Sequence, residues 1–553
     1  MLTFLDDLPK PILAVLSLVV IMAYLMIPDV VNFIHYRITP KKRIRDLGLG
    51  SWLGRRAVQG FIGLLIMLVA IELAKQFGVS IKKGDGREGW IGLSGYFVFL
   101  LIWEWIQKLY RSFRWGHHTE TLRGAVIADD AECKRMRKAI KQASPDTIFF
   151  SHLPVSLAAE TKHFKIIGTT GTGKSSVIRL MIKKALWRQD RAIIADPDGG
   201  YLSRFYQPER GDIILNPFDA RSHSWALMDE IHSPHDVRLI AESLIPQVHA
   251  DDEWKSYARL FIASLLTYCK QEKKNLNDFL YLAVAAPQDE LYDILKKTPA
   301  APYTDPANSR MFGSVRSIAS THLASLEYLQ SGSTESFSIR EWVKNGKGCL
   351  FLPYRSDQIA ALRELISTWM QLAIFETLRL EEKDNRLWFF VDELDALGQI
   401  GGMKDALARV RKYGGRMVLG FQSISQVRAT YGSEADTIVE NCANTLILRC
   451  SASENGGTSR FTSELIGQQE KSFLTYSLDK EGNRSQQQQI TTDYVVLPSE
   501  IEQFADRQGI MKLADRAQWF KVSNIDVVAL PKVAEAFEEI KFGKNIPVVL
   551  DKY

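Results

Sequence analysis

Cysteine is scarce in this chain of 553 residues: Cys133, Cys269, Cys349, Cys442 and Cys450 stand far apart, with no CxxC pair and no histidine at metal-ligand spacing. Their scatter excludes a disulfide framework and a zinc-ligand pattern, and it fits a reducing compartment. An internal repeat is missing too, which removes the stacked-repeat architectures. There is no strong charge of one sign. Lys and Arg number 69 against 64 Asp and Glu, a formal net charge of +5, and such a balance permits binding to nucleic acid or anionic lipid without requiring either. The first apolar run follows Asp6 and Asp7 with no basic leader and no small-residue cleavage site, a pattern that speaks against a secretory signal peptide.

The length allows more than one hydrophobic core, and the apolar residues are concentrated at the start of the chain. Residues 11–34, 57–77 and 90–110 are nearly uninterrupted apolar runs, each close to the roughly 20 residues that a helix needs to cross a bilayer. They predict an N-terminal transmembrane helical anchor over residues 1–121. Arg37, Lys41, Lys42, Arg43, Arg45, Arg55 and Arg56 crowd the first connection, and Lys108, Arg111 and Arg114 follow the third run. By the bias of basic residues toward the cytoplasmic side, both stretches face inward and the rest of the chain is cytoplasmic.

Beyond about Leu122, short apolar runs alternate with longer amphipathic stretches, the sequence style of a parallel sheet covered by helices. The expected strands are His163 to Ile167, Ala192 to Asp196, Asp212 to Leu215, Cys349 to Leu352, Leu387 to Val391, Arg416 to Phe421 and Thr445 to Arg449. Residues 225–329 are helical in periodicity and too long for a loop, so they are expected to form an all-helical insertion. The nucleotide-binding part then comprises 122–224 and 330–530, and 531–553 form a C-terminal tail. Asp479 to Thr492, with the tract Gln486 to Gln489, is expected as an exposed loop because it offers little apolar surface.

Gly168-Thr169-Thr170-Gly171-Thr172-Gly173-Lys174-Ser175 matches the phosphate-binding loop GxxxxGK[ST] and is followed by Ser176. A plausible strand precedes it, and a plausible helix, Ser175 to Gln189, follows with Ile178, Met181, Ile182, Ala185 and Leu186 on one face. Glycines let the backbone amides turn toward phosphate, and the helix N-terminus adds a favourable dipole. Lys174 is expected on the β and γ phosphates of ATP and Ser175 on Mg2+. An acid must complete the metal site, and Asp392-Glu393 directly follows the apolar strand Leu387 to Val391. Asp392 would reach the metal through water, and Glu393 would act as general base on the attacking water. An acidic pair can also simply cap a helix. Gln422 ends the next strand, where it could sense the γ-phosphate or merely begin a helix. Arg411 could stabilise charge on a neighbouring subunit's phosphoryl group, which implies a ring, or could belong to a solvated face or a phosphate-backbone contact.

Taken together, the N-terminal anchor, GTTGTGKSS, ADPDGG at Ala195 to Gly200, FFVDELDALG at Phe389 to Gly398 and RVRKYGGRMVLGFQSISQVRATYG at Arg409 to Gly432 resemble the type IV coupling proteins of the TraD/TrwB type, relatives of the FtsK and HerA motors. The resemblance implies an α/β RecA-like P-loop ATPase domain with an inserted all-helical domain. It also implies a homo-hexamer at the bacterial inner membrane that uses ATP and Mg2+ to deliver relaxase-bound, single-stranded DNA to a type IV secretion channel. Lys174, Ser175, Asp392, Glu393, Arg411 and Gln422 fall on the family's nucleotide and finger positions. Three predicted crossings depart from the two common in the family, and no long acidic tail follows the motor, so no segment is assigned to relaxosome proteins. A protein-effector export motor and a nucleotide-gated docking receptor remain alternative readings. Lys270, Lys273 and Lys274 are candidates for DNA contact or an ordinary solvated helix end.

Overall fold

The computed structural model describes residues 120–128, 132, 135 and 147–540, apart from segments at 247–252, 332–335, 382–385, 454–455, 479–483 and 524–529. The three apolar runs at 11–34, 57–77 and 90–110 lie outside the described residues. Among the described residues, no helix is long and apolar enough to cross a membrane.

The described strands, in chain order, are β1 Glu120–Gly124, β2 Ile148–Phe150, β3 Leu153–Val155, β4 Phe164–Ile167, β5 Arg191–Pro197, β6 Ile213–Ile214, β7 Ser224–Trp225, β8 Ser336–Phe337, β9 Cys349–Tyr354, β10 Leu387–Val391, β11 Gly415–Phe421, β12 Asn444–Ile447, β13 Gln468–Leu478, β14 Arg484–Tyr494, β15 Gly509–Lys512 and β16 Trp519–Val522. Nine of them form one sheet in the order β16-β15-β12-β4-β11-β10-β5-β9-β6. From β12 to β6 every pairing is parallel, and these seven strands are the seven expected from sequence. The hairpin β15–β16 adds two antiparallel strands beside β12. β10 shows why the middle of the sheet reads as a continuous apolar run: Leu387, Trp388, Phe389, Phe390 and Val391 are all buried, as a strand covered on both faces must be.

Two cores flank the sheet. One face packs against the helix α1, Lys174–Trp187, through Val177, Ile178, Met181, Ile182 and Ala185. The other packs against α2, Ile359–Thr377, and against the helices that lie between β7 and β8. Those two short strands pair in parallel and so hold the ends of the helical segment together. The segment carries long helices at Pro234–Leu244, Glu253–Gln271 and Ser309–Glu327, the helical character expected for it. At its base Arg340 is buried against Asp236 at 2.6 Å and Glu376 at 3.4 Å, while Glu230 accepts from Trp225 Nε1 at 2.9 Å and from the Ile339 amide at 2.7 Å.

The loop expected from Asp479 to Thr492 is a correction. β13 and β14 pair antiparallel from Gln468↔Tyr494 to Leu478↔Arg484, and the glutamine tract lies inside β14. A ladder is held by main-chain bonds, so a strand exposed on its faces needs no apolar side chains. Gln488 adds a cross-strand bond to Ser472 Oγ at 2.8 Å. Residues 531–540, the described part of the expected tail, cross the loop after β5: the Val533 amide donates to Ser203 O at 2.8 Å, and Arg355 pairs with Glu539 at 2.8 Å.

Candidate functional site

Parallel strands end on one side of a sheet, and ligands of open α/β folds gather there. The register places Ile167, the last residue of β4, beside Phe421 of β11, Leu419 beside Val391 of β10, and Val391 beside Ala195 of β5. The residues that follow these strands therefore share one edge: the phosphate loop after β4, Gln422 after β11, Asp392 and Glu393 after β10, and Asp196 at the end of β5. β11 lies between β4 and β10, the arrangement that the sensor reading of Gln422 requires. Gly420 permits this spacing, because a Cβ there would strike the Asp392 carbonyl oxygen.

The loop Gly168–Ser175 takes the curled form expected of it. Gly171 and Gly173 have φ of 78° and 113°, conformations that a side chain would strain. Thr169 is tied by its amide to Arg449 O at 2.9 Å, Thr172 Oγ1 donates to Thr169 O at 2.7 Å, and the Arg507 amide donates to Thr172 O at 2.8 Å. Ser176 is half-buried in the first turn of α1. Lys174 is buried, and its ammonium donates to Gly168 O at 2.6 Å and Thr169 O at 3.2 Å. Burial lowers its proton affinity, and the charges of Asp392 and Glu393 oppose that loss.

Ser175 Oγ donates to Asp392 Oδ2 at 2.7 Å, so the two expected metal residues meet directly. Asp392 Oδ1 is buried and has no hydrogen-bond partner among the described residues. A buried carboxylate oxygen without a donor is costly. A hydrated divalent cation relieves that cost, and the hydroxyl and carboxylate donor set suits Mg2+. Glu393 is half-buried beside them. Burial first, then the negative charges of Asp392 and Asp395, raise its proton affinity above that of an ordinary glutamate, as a general base requires. Gln422 joins the two halves of the site: its amide nitrogen donates to Glu393 Oε1 at 3.1 Å, and its oxygen accepts from Thr170 Oγ1 at 2.8 Å.

Arg411 is not brought to this edge. It is exposed on the 3-10 turn Val410–Tyr413, which precedes β11, whereas Gln422 follows that strand. Seven strand residues, roughly 20 Å at about 3.3 Å each, separate the two ends. Arg411 instead lies near His163, whose Nε2 meets Leu407 O at 3.0 Å and whose Nδ1 accepts from the Met417 amide at 3.1 Å.

Three residues of the site were not among those singled out. Asp196, within ADPDGG, is fully buried. Burial, offset by its hydrogen bonds to the Leu202 and Tyr201 amides and reinforced by the Asp392 charge, pushes its pKa up to about 7. Tyr201 donates its hydroxyl to Asp392 Oδ2 at 2.7 Å. Tyr354 ends β9 with a buried hydroxyl that has no partner among the described residues, its ionisation opposed by burial and then by Glu393 and Asp392. The turn Asp198–Gly199, with φ of 55° and 62°, was the available signal for Tyr201. No local pattern marks Tyr354.

Residues 147–524 match the family model described as the type IV secretion-system coupling protein DNA-binding domain. Coupling protein TraD of Escherichia coli (strain K12) is 29% identical over 359 residues, which cover 63% of this chain and 49% of TraD. The chain thus spans about half the length of that curated relative. Among solved structures, the unbound bacterial conjugative coupling protein TrwBdeltaN70 is similar with a TM-score of 0.68 and 31% identity, over 76% of this chain and 96% of that one. The plasmid coupling protein TrwB in complex with ADP and Mg2+ gives a TM-score of 0.66 and 29% identity, over 77% and 98%. TrwB has also been solved with the non-hydrolysable ATP analogue ADPNP, at a TM-score of 0.66 and 30% identity over 76% and 97%.

Proposed function

This chain belongs to the type IV secretion-system coupling proteins, and we propose that within that family it is a membrane-anchored ATPase that moves DNA. The observation that carries the reading is the convergence of Lys174, Ser175, Asp392, Glu393 and Gln422 at one sheet edge. Similar chains bind ADPNP, and ADP with Mg2+, the ligands that this edge suits.

The residues divide the work of phosphoryl transfer. The loop amides and Lys174 hold the β and γ phosphates; Lys174 exchanges its two carbonyl partners for phosphate oxygens. Ser175 and, through water, Asp392 would hold Mg2+, which would neutralise charge on the phosphates. Glu393 takes the proton of the attacking water, and its raised proton affinity brings it nearer to the working pH. Gln422 spans from Thr170 on the phosphate loop to that base, so a change at the γ-phosphate is felt by the strand β11. Arg411, at the far end of β11, serves only in trans. On the family's pattern the proposed active form is a homo-hexameric ring, in which each subunit offers Arg411 to its neighbour's phosphates.

The finer assignment follows the family. The apolar runs at 11–34, 57–77 and 90–110 anchor the ring in the bacterial inner membrane with the motor in the cytoplasm. With relaxosome proteins as partners, the ring then delivers relaxase-bound, single-stranded DNA to a type IV secretion channel. The full chain in detergent should hydrolyse ATP faster with single-stranded DNA than with duplex or no polymer, and the stimulation should fall steeply with salt. Hydrolysis that ignores DNA under assembling conditions would remove translocation from the reading. Stimulation by a relaxase-type protein alone would favour protein export.

A further inference from the structure

Tyr201 is buried, with 2% of its surface exposed, and it delivers its hydroxyl to the acidic residue of the metal site. Asp392 Oδ2 accepts from Tyr201 and from Ser175, both at 2.7 Å. A carboxylate can turn about its Cβ–Cγ bond, and either oxygen can then face a metal. Two donors on one oxygen select the other: Asp392 Oδ1 is the buried atom left without a protein partner among the described residues. Groups of this kind, which hold a ligating side chain in one orientation, tune metal affinity without touching the ion.

The tyrosine is itself held from two sides. Asp196 accepts from the Tyr201 amide at 2.9 Å and from the Leu202 amide at 2.6 Å, and the pairing of Ala195 with Val391 sets Asp196 on the strand tip next to Asp392. On the outer side, segment 530–540 lies across the same loop. The Val533 and Ala534 amides donate to Ser203 O at 2.8 Å and 3.2 Å. A Cβ on Gly199 would come within 2.7 Å of Ala536 O, so the glycine lets the strap rest directly on the loop. A phenol is protonated throughout the working pH range, so the Tyr201 hydroxyl is a donor there.

We propose that Tyr201 is a positioning residue for Asp392: its hydroxyl fixes the carboxylate so that one oxygen faces the hydrated magnesium, and it thereby sets the affinity of the site for Mg2+. The assignment rests on the ATPase reading. In the full chain in detergent, free Mg2+ is titrated at constant ADP while the melting temperature is followed, for wild type and Tyr201→Phe. The phenylalanine keeps the ring and removes only the hydroxyl, and melting without nucleotide reports on folding. The expected result is that the Mg2+ midpoint rises by about tenfold or more, with ADP affinity in EDTA unchanged and the Mg2+ needed for half-maximal hydrolysis moved in step. Midpoints within twofold of each other overturn the proposal, even if the variant melts at a lower temperature, because that is packing alone. If wild type itself shows no Mg2+-dependent response to ADP, the nucleotide reading fails and this assignment with it.

Discussion

Two buried groups of opposite sense, at opposite ends of the parallel strands, carry pH-dependent contributions to stability. His163 is buried beneath β4, and burial lowers its pKa from 6.5 to about 4, with Arg411 and Arg416 adding to the fall and the Leu407 carbonyl opposing it. The unfolded chain then binds that proton more readily, so the stabilising contribution of neutral His163 is complete above pH 6.5 and is lost as pH falls toward 4. Asp196 runs the other way. Its folded pKa of about 7 exceeds its ordinary value, so its contribution is present at low pH and is lost as pH rises from about 4 to 7. The wild-type profile between pH 5 and 7 should accordingly be flat. Denaturant unfolding of His163→Gln should uncover a fall with rising pH, and that of Asp196→Asn a rise, each on the order of 2 kcal/mol over the interval. Identical slopes in all three proteins would show that neither group titrates as described. Lys174, Ser175, Asp392 and Glu393 were legible in the sequence because phosphate chemistry demands those residue types beside glycines and a strand end. Tyr201 was not, since its role arises only when the turn after β5 folds back on β10.

At the scale of elements, the helical segment is fastened to the sheet by a polar cluster that apolar periodicity cannot reveal. Burial opposes ionisation of Asp236, yet the Arg340 and Arg379 guanidiniums hold its carboxyl below the ordinary range, and Arg340 also donates to the Glu230 carbonyl at 2.8 Å. Arg340→Met would leave Asp236 and Glu376 buried with less compensation, at a cost of about 3–5 kcal/mol. Chemical denaturation measures it, and a loss below about 1 kcal/mol would mean that the cluster is not the fastening. The parallel strands were readable because burial on both faces requires unbroken apolar runs. The hairpin β13–β14 was not. Its strands are stabilised by pairing with each other and with β1, and polarity alone, as in Gln486 to Gln489, does not distinguish an exposed strand from a loop.

For the whole molecule, the proposed role of Arg411 as a finger in trans makes turnover a property of an assembly, because Arg411 lies far from its own phosphate loop. Arg411→Ala and Glu393→Gln should each be inactive alone, because one lacks the finger and the other the base. Mixed before assembly, they should regain a measurable fraction of the wild-type rate, since Glu393 of one variant can meet Arg411 of the other across an interface. No recovery in mixed assemblies of confirmed composition would place Arg411 outside the chemistry. The sequence alone could nominate Arg411 but not its distance from the loop, which depends on β11 running through the sheet between them.

The central claim is that one sheet edge binds and cleaves a nucleoside triphosphate, and phosphate release by the full chain with saturating ATP, Mg2+ and single-stranded DNA tests it most directly. Wild type should turn over, while Lys174→Ala and Glu393→Gln should each fall by about 10²-fold or more, with Glu393→Gln still binding ADP and Mg2+ near the wild-type affinity. Turnover of Glu393→Gln at the wild-type rate would contradict the account.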